Sequence, residues 1–410
     1  MNKRFRPIAA FLVLAVAVMA CTLPAGNGGG EPTTDQIATI VASTLQALTP
    51  VASDVATETP VPVDILPYSF YYLGTDSTGL TQVFRIERDG VTLRQITSEP
   101  ANVNAYDVSQ VDGSVVYISN NQMLLISADG TGRRVLVDGG PVDPNRQFEE
   151  SISSPVFTPD GQTIAYGHRG LNLYAVLTGV SNLVLEPELV DPGSGATGPR
   201  EVYFPEKYSP DGTKLLITAA IPNSDGILGA IFYPAAGSLV HLSGENNGSL
   251  CCGNPEWSLD GSALYTASST LGMFGSGLWR VDPTSGSSTT LLPTDAGGGN
   301  YNLASEPYIA TDGQLYFFFA NATSPDGFID NAPVQIVRSA VDGVTGRTVL
   351  RPDTFALMND ALWAPDASFV VVAIGADATS YLGGQAEVIY LDGRPSVVLT
   401  TFAQEMKWGP

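Results

Sequence analysis

From about residue 67 to the C-terminus, short runs of alternating apolar and polar residues break at Asp-Gly or similar pairs, the pattern of β-strands joined by tight hairpins. One set of breaks follows an aromatic or apolar run: Pro155-Val-Phe-Thr-Pro-Asp160-Gly161, Glu206-Lys-Tyr-Ser-Pro-Asp211-Gly212 and Pro255-Glu-Trp-Ser-Leu-Asp260-Gly261, with weaker copies at Asp112-Gly113, Asp312-Gly313 and Asp366-Ala367. In these turns Pro presets φ, Asp bonds to nearby backbone and Gly accepts positive φ. A second set interleaves with it: Asp89-Gly90, Asp129-Gly130, Thr178-Gly179, Ala236-Gly237, Ser285-Gly286, Asp342-Gly343 and Asp392-Gly393.

One copy of the pattern takes about 50 residues, the length of a four-stranded blade. Seven outer hairpins stand against six inner ones, and the missing inner hairpin falls where the chain begins and ends. Glu405-Met-Lys-Trp408-Gly-Pro410 reads as the strand that should enter it, and the run from Tyr68 to Leu73 as the strand that should leave it. The expected fold is therefore all-β: a seven-bladed β-propeller of four-stranded blades over 67–410, closed by the C-terminal strand joining the first blade, with six or eight blades as alternatives. Closure of this kind removes exposed sheet edges. The Pro-Asp-Gly strand pairs resemble the WD-like repeat of TolB and of the propellers in prolyl oligopeptidases and dipeptidyl peptidases. That resemblance covers roughly 67–410 and implies a blade architecture without a task, since blades serve many. No counterpart of TolB's N-terminal α/β domain, and no hydrolase domain, is read in this chain.

The N-terminal pattern is different. Lys3, Arg4 and Arg6 precede an apolar run from Ile8 to Val18, followed by small residues. That run is shorter than the roughly 20 residues a membrane span needs, so 1–20 reads as a cleaved export signal. Val18-Met19-Ala20-Cys21 resembles the lipobox of bacterial lipoproteins, with Val and Met at positions that more often hold Leu and a small residue. The resemblance implies cleavage before Cys21 and lipidation of that cysteine, hence a cell-membrane anchor on the extracytoplasmic face, or an outer-membrane one in a two-membrane cell. Multiple acyl chains anchor durably. Residues 21–66 are rich in Gly, Thr, Pro and Ala and read as a tether. Within it, Ile37, Ile40, Val41, Thr44, Leu45 and Leu48 recur at helical spacing over 35–48.

Charge narrows the partners. The chain carries 19 basic and 41 acidic residues, net −22, and loss of the signal removes three bases. Nucleic acid and anionic lipid surfaces are excluded as partners, because phosphate recognition needs clustered Lys and Arg.

In a four-stranded blade both hairpin sets lie on one face, while the middle loops and inter-blade loops lie on the other. The second group is long here: 139–151, 190–203, 245–254, 268–277, 294–305, 321–332 and 376–385. Variable loops on a rigid scaffold carry binding sites. Acids recur where inner strands enter, at Asp107, Glu206, Glu256, Glu306, Asp360 and Glu405, with Glu149 and Glu150 just upstream in the third repeat. They suit a ring that draws a cation or basic ligand, or more plainly a solvated rim. No calcium-loop spacing occurs, and neither metal nor cofactor is expected.

Cys251 and Cys252 are adjacent, and pair with each other only through a strained ring. They read as a ligand platform at the channel mouth or as a rigid structural loop. His168 and His241 are the only histidines. His168 with Arg169 lies in a short loop on the variable side, and His241 in an outer strand. Trp257, Trp363, Trp408, Phe157 and Tyr208 hold equivalent repeat positions and read as packing between blades. No nucleophile elbow, zincin motif or phosphate loop is present. The leading expectation is a non-enzymatic tethered module that binds a protein, peptide or glycan. The alternative is an extracytoplasmic glycosidase, lyase or redox enzyme using channel carboxylates or the cysteine pair, and a purely structural envelope role is the third.

Overall fold

The computed structural model describes residues 64–191, 198–222, 227–242, 254–272 and 274–410. Cys21, Cys251, Cys252 and the helical pattern at 35–48 lie outside them. Four antiparallel strands in sequence order make each of four sheets: Val103–Val108 to Arg134–Asp138, Ser153–Phe157 to Val180–Leu185, Val202–Tyr208 to Ser238–His241, and Glu256–Trp257 to Ser288–Leu292. A fifth sheet runs from Asn300–Ile309 to Thr348–Val349 with Asp295–Gly297 added at its edge. The sixth joins the two ends of the chain. Its order is Met358–Trp363, Phe369–Ile374, Gly384–Tyr390, Val397–Trp408, Phe70–Thr75, Thr81–Ile86 and Leu93–Gln95.

Val397–Trp408 serves two partners. Its first half pairs with Gly384–Tyr390 and its second half, from Gln404, pairs with Phe70–Thr75. The fold is all-β, built mainly of four-stranded sheets.

Strand composition follows depth. Middle strands such as Val115–Ser119 and Leu264–Ser268 are buried along their whole length, because a sheet lies on either side of them. Fourth strands such as Val180–Leu185 are largely exposed, since only one of their faces meets a neighbouring sheet. Tyr71, Leu73 and Val83 pack with Tyr106, Val115 and Tyr117 across two sheets, whereas Phe70 and Tyr72 pack with Val371, Val388 and Met406 within the sheet that joins the two ends. Burying one such aromatic side chain contributes about 2–3 kcal/mol. The repeat aromatics fill these seams as expected: Trp257 donates its indole N–H to the Lys207 carbonyl at 3.3 Å, and Trp363 donates to that of Glu306 at 2.9 Å.

Both sets of expected turns form. Gly161, Gly212 and Gly261 in one set and Gly90, Gly179 and Gly393 in the other take φ between 65° and 86°. Ala367 stands where the other inner turns have Gly, and adopts φ 52°.

Three expectations change in detail. Leu66 is 2% exposed in the core and its N–H bonds to Arg88, so the folded part reaches into residues assigned to the tether. Much of 294–305, expected as irregular loop, is strand, because Leu303 buries beneath Leu271 and Ile329. Leu271 and Ile329 also bridge the 268–277 and 321–332 loops. Glu149 and Glu150 belong to a short helix, Gln147–Glu150, where they pair with Arg146.

Candidate functional site: a charged channel beneath long loops

The acids singled out from sequence do meet, on the first strands of successive sheets. The local device that aims several of them is the β-bulge. The ladder slips between Pro205 and Lys207, leaving Glu206 as the extra residue. It slips again between Ser305 and Tyr308 around Glu306, and between Gln404 and Lys407 around Glu405. Glu306 and Glu405 have φ of 51° and 52°, a conformation that costs a non-glycine residue free energy and that bulges commonly use to re-aim a side chain. In the sheet that begins with Ser153–Phe157 the same kind of slip holds Ser154, φ 47°, so the position there is neutral.

Two lysines, not singled out in the sequence, complete the arrangement. Lys407 Nζ lies 2.9 Å from Asp107, whose other oxygen accepts the Phe157 N–H at 2.7 Å. Lys207 Nζ lies 2.6 Å from Glu256. These four residues each immediately precede the apolar or aromatic residue that packs between sheets: Val108, Tyr208, Trp257 and Trp408. Glu206 and Glu306 stand two residues before theirs, and Asp360 and Glu405 three before. The second group is thus about 3–7 Å nearer the loop-rich face.

The two levels differ electrostatically. The lower holds two ion pairs. In the upper, burial is the main force and raises all four carboxyls. Glu306 is pushed up to about 8, by burial first and then by the charge of Asp360. Glu206, Asp360 and Glu405 are raised by burial as well, with Lys407 or Lys207 pulling the other way. Glu206 is nonetheless open to water in the channel. Protein packed around Glu206 disfavours its charged form even though water touches it. Asp360 accepts the Met406 N–H at 3.2 Å and the Asn254 amide at 3.3 Å.

His168 and Arg169 are placed elsewhere. Arg169 reaches Glu150 at 3.6 Å, and His168 is half-buried with Nε2 unpartnered and its pKa lowered by burial. They do not join the channel acids. His241 pairs with Glu201 at 3.0 Å on an outer strand. Among the described residues, no group of three His, Cys, Asp or Glu is arranged to hold a metal ion, and no helix is long and apolar enough to cross a membrane.

The long loops carry exposed aromatic residues, Phe148, Phe274, Phe328 and Tyr381, and Phe402 on the last strand is exposed as well. An open cleft of about 740 Å³ is lined by Ile374, Tyr381, Leu382, Gln385, Thr401 and Phe402 among others, with no charged side chain.

No protein-family model matches the chain, and no curated protein does. Solved structures do. An oligogalacturonate lyase in complex with manganese is 12% identical, with a TM-score of 0.51, over 81% of this chain and 84% of that one. A functionally unknown protein from Desulfotomaculum acetoxidans is 12% identical, TM-score 0.51, over 83% and 98%. TolB from Acinetobacter baumannii is 15% identical over 93% and 74%, with a TM-score of 0.43. At these identities the likeness concerns the fold, which is of the β-propeller kind.

Proposed function

We propose that this chain is a lipid-anchored, extracytoplasmic binding or scaffold module. In this reading Cys21 carries the lipid, residues up to the low sixties are the leash, and seven blades close through the pairing of Val397–Trp408 with Phe70–Thr75. A protein, peptide or glycan partner binds on the loop-rich face. The observation that carries the reading is the distribution of exposed aromatics. Five of the six among the described residues, Phe148, Phe274, Phe328, Tyr381 and Phe402, lie on or beside the long loops, and Tyr68 is the exception. Aromatic side chains exposed in this way are what interfaces use as anchors.

Two experiments test the two halves. Cys21→Ser should release the protein from membranes, and a variant that stays bound through carbonate washing would refute the anchor. On peptide and glycan arrays the full chain should retain a defined ligand class, and Phe328→Ser with Tyr381→Ser should lose it. Retention unchanged in that variant would refute the loop face.

A second reading, a glycosidase or lyase, is favoured by Glu306. A carboxyl held near 8 beside Glu256 and Lys207 is protonated at neutral pH, as a general acid must be. Turnover of an oligosaccharide panel, abolished in Glu306→Gln, would support it over the binding reading. A redox role for Cys251 and Cys252 would show as a reducible disulfide coupled to electron transfer.

A further inference from the structure

The segment Glu405–Trp408, which pairs with Phe70–Thr75, is held by polar contacts from both sides, from the sheet of Val103–Val108 and from Met358–Trp363 of its own sheet. Lys407 pairs with Asp107, and the Tyr106 hydroxyl donates to the Glu405 carbonyl at 2.5 Å. Gln110 donates to the Trp408 carbonyl at 2.7 Å. From the other side the Met406 N–H donates to Asp360, and the Trp408 indole donates to the Trp363 carbonyl at 2.8 Å. The Gly409 N–H donates to the Ser69 carbonyl at 2.9 Å. The same segment faces the upper carboxyls. Glu405 lies opposite Asp360 and Lys407, and Glu206 opposite Glu405, Lys407 and Lys207. Asp360 and Glu306 share Asn254 and Lys207, and Glu306 also faces Glu256.

We propose that this carboxyl cluster is a proton-dependent latch on the chain's own seam: protons shared among Glu206, Glu306, Asp360 and Glu405 keep Glu405–Trp408 seated, and their loss loosens it. With all four ionised, six carboxylates including Asp107 and Glu256 face two lysines, and the excess negative charge surrounds Glu405. The strained φ of Glu405 and Glu306 leaves little slack for the side chains to move apart.

The sign follows from linkage. These carboxyls titrate higher in the folded chain than in the unfolded one, so their contribution to stability is complete below about pH 4.5 and is lost as pH rises, through about 8 for Glu306. The proposal goes beyond the binding reading and does not depend on it.

The test is the melting temperature of the full chain from pH 5.5 to 9, with amide hydrogen exchange of the peptide spanning 400–410 corrected for intrinsic rate. The wild type should melt several degrees lower at pH 9, on the order of 5 °C. Glu306→Gln should flatten that slope, whereas Asp326→Asn, an exposed change of the same charge, should leave it as it was. Protection at 404–408 should fall before that of Leu264–Ser268. A flat or rising wild-type profile, an equal slope in Glu306→Gln, or simultaneous loss of protection in both segments would overturn the latch. If Glu306→Gln does not fold, the wild-type profile and the order of exchange decide.

Discussion

The carboxylates of the hairpin turns and those of the channel are the same chemical groups put to opposite use. In a turn the aspartate bonds within its own five residues. Asp211 accepts from the Ser209 hydroxyl and from the Thr213 N–H and hydroxyl, and Asp260 from Ser258 and the Ser262 N–H. Hydrogen bonds to the charged form lower both to about 2. In the channel, protein walls surround the carboxyl, and the charges it meets come from beyond its own turn, across sheets at Glu306 and from Lys407 and Asp360 at Glu405. Burial then dominates and the pKa rises, furthest at Glu306. Local hydrogen bonding favours the ion, while enclosure favours the acid. One molecule therefore has carboxylates that stabilise it as pH rises from 2 to 4 and others that destabilise it as pH rises towards 8.

The largest effect should come from removing a channel cation. Lys207→Met leaves Glu256 without its partner and withdraws the positive charge facing Glu306 and Asp360. Because water reaches this lysine, whose side chain is 45% exposed, the loss is set at about 1–3 kcal/mol by urea unfolding at pH 7.5. It should shrink at pH 5, where Glu306 is protonated. An equal loss at both pH values would break the comparison on the channel side.

The turns supply the acid limb. Their folded pKa values lie below the unfolded ones, so the stabilisation is present above about pH 4 and is lost as pH falls towards 2. The double variant Asp211→Ala, Asp260→Ala should therefore lower the melting temperature at pH 6 by about 2 °C and by much less at pH 2, where both groups are half protonated in the folded chain. A difference as large at pH 2 as at pH 6 would mean that the aspartates act through something other than their charge.

The smallest changes concern turn backbone alone. Gly212→Ala, at φ 69°, should cost about 1 kcal/mol, and Ala367→Gly, at φ 52°, should recover somewhat less because its buried methyl is lost. Neither should alter the alkaline limb. If Ala367→Gly destabilises, packing of that methyl against the core outweighs the backbone relief.

Much of the scaffold was legible in the chain because it is decided locally. A Pro-Asp-Gly turn closes within about five residues, through Asp oxygens on nearby N–H groups and a glycine at positive φ, which is how Asp160-Gly161 and Asp392-Gly393 each close a hairpin. The aromatic residue before each inner turn marks the strand that packs between sheets. The acid positions were legible as a recurrence. His168 and Arg169 carried no comparable pattern, and the structure leaves them away from the channel.

What the amino-acid order could not decide is which charges meet. Lys207 and Glu256 are 49 residues apart, Asn254 and Asp360 106, and Lys407 and Asp107 300. Nothing in a window of sequence distinguishes Lys407 from a solvated surface lysine. The bulges at Glu206, Glu306 and Glu405 are likewise invisible, because a one-residue slip exists only relative to a partner strand. By itself the sequence determined the turns and the strand phases, since those depend on neighbours along the chain. Only the tertiary structure, by setting first strands of separate sheets around one channel, decided that two lysines and six acids share a dielectric, and hence which acids hold their protons.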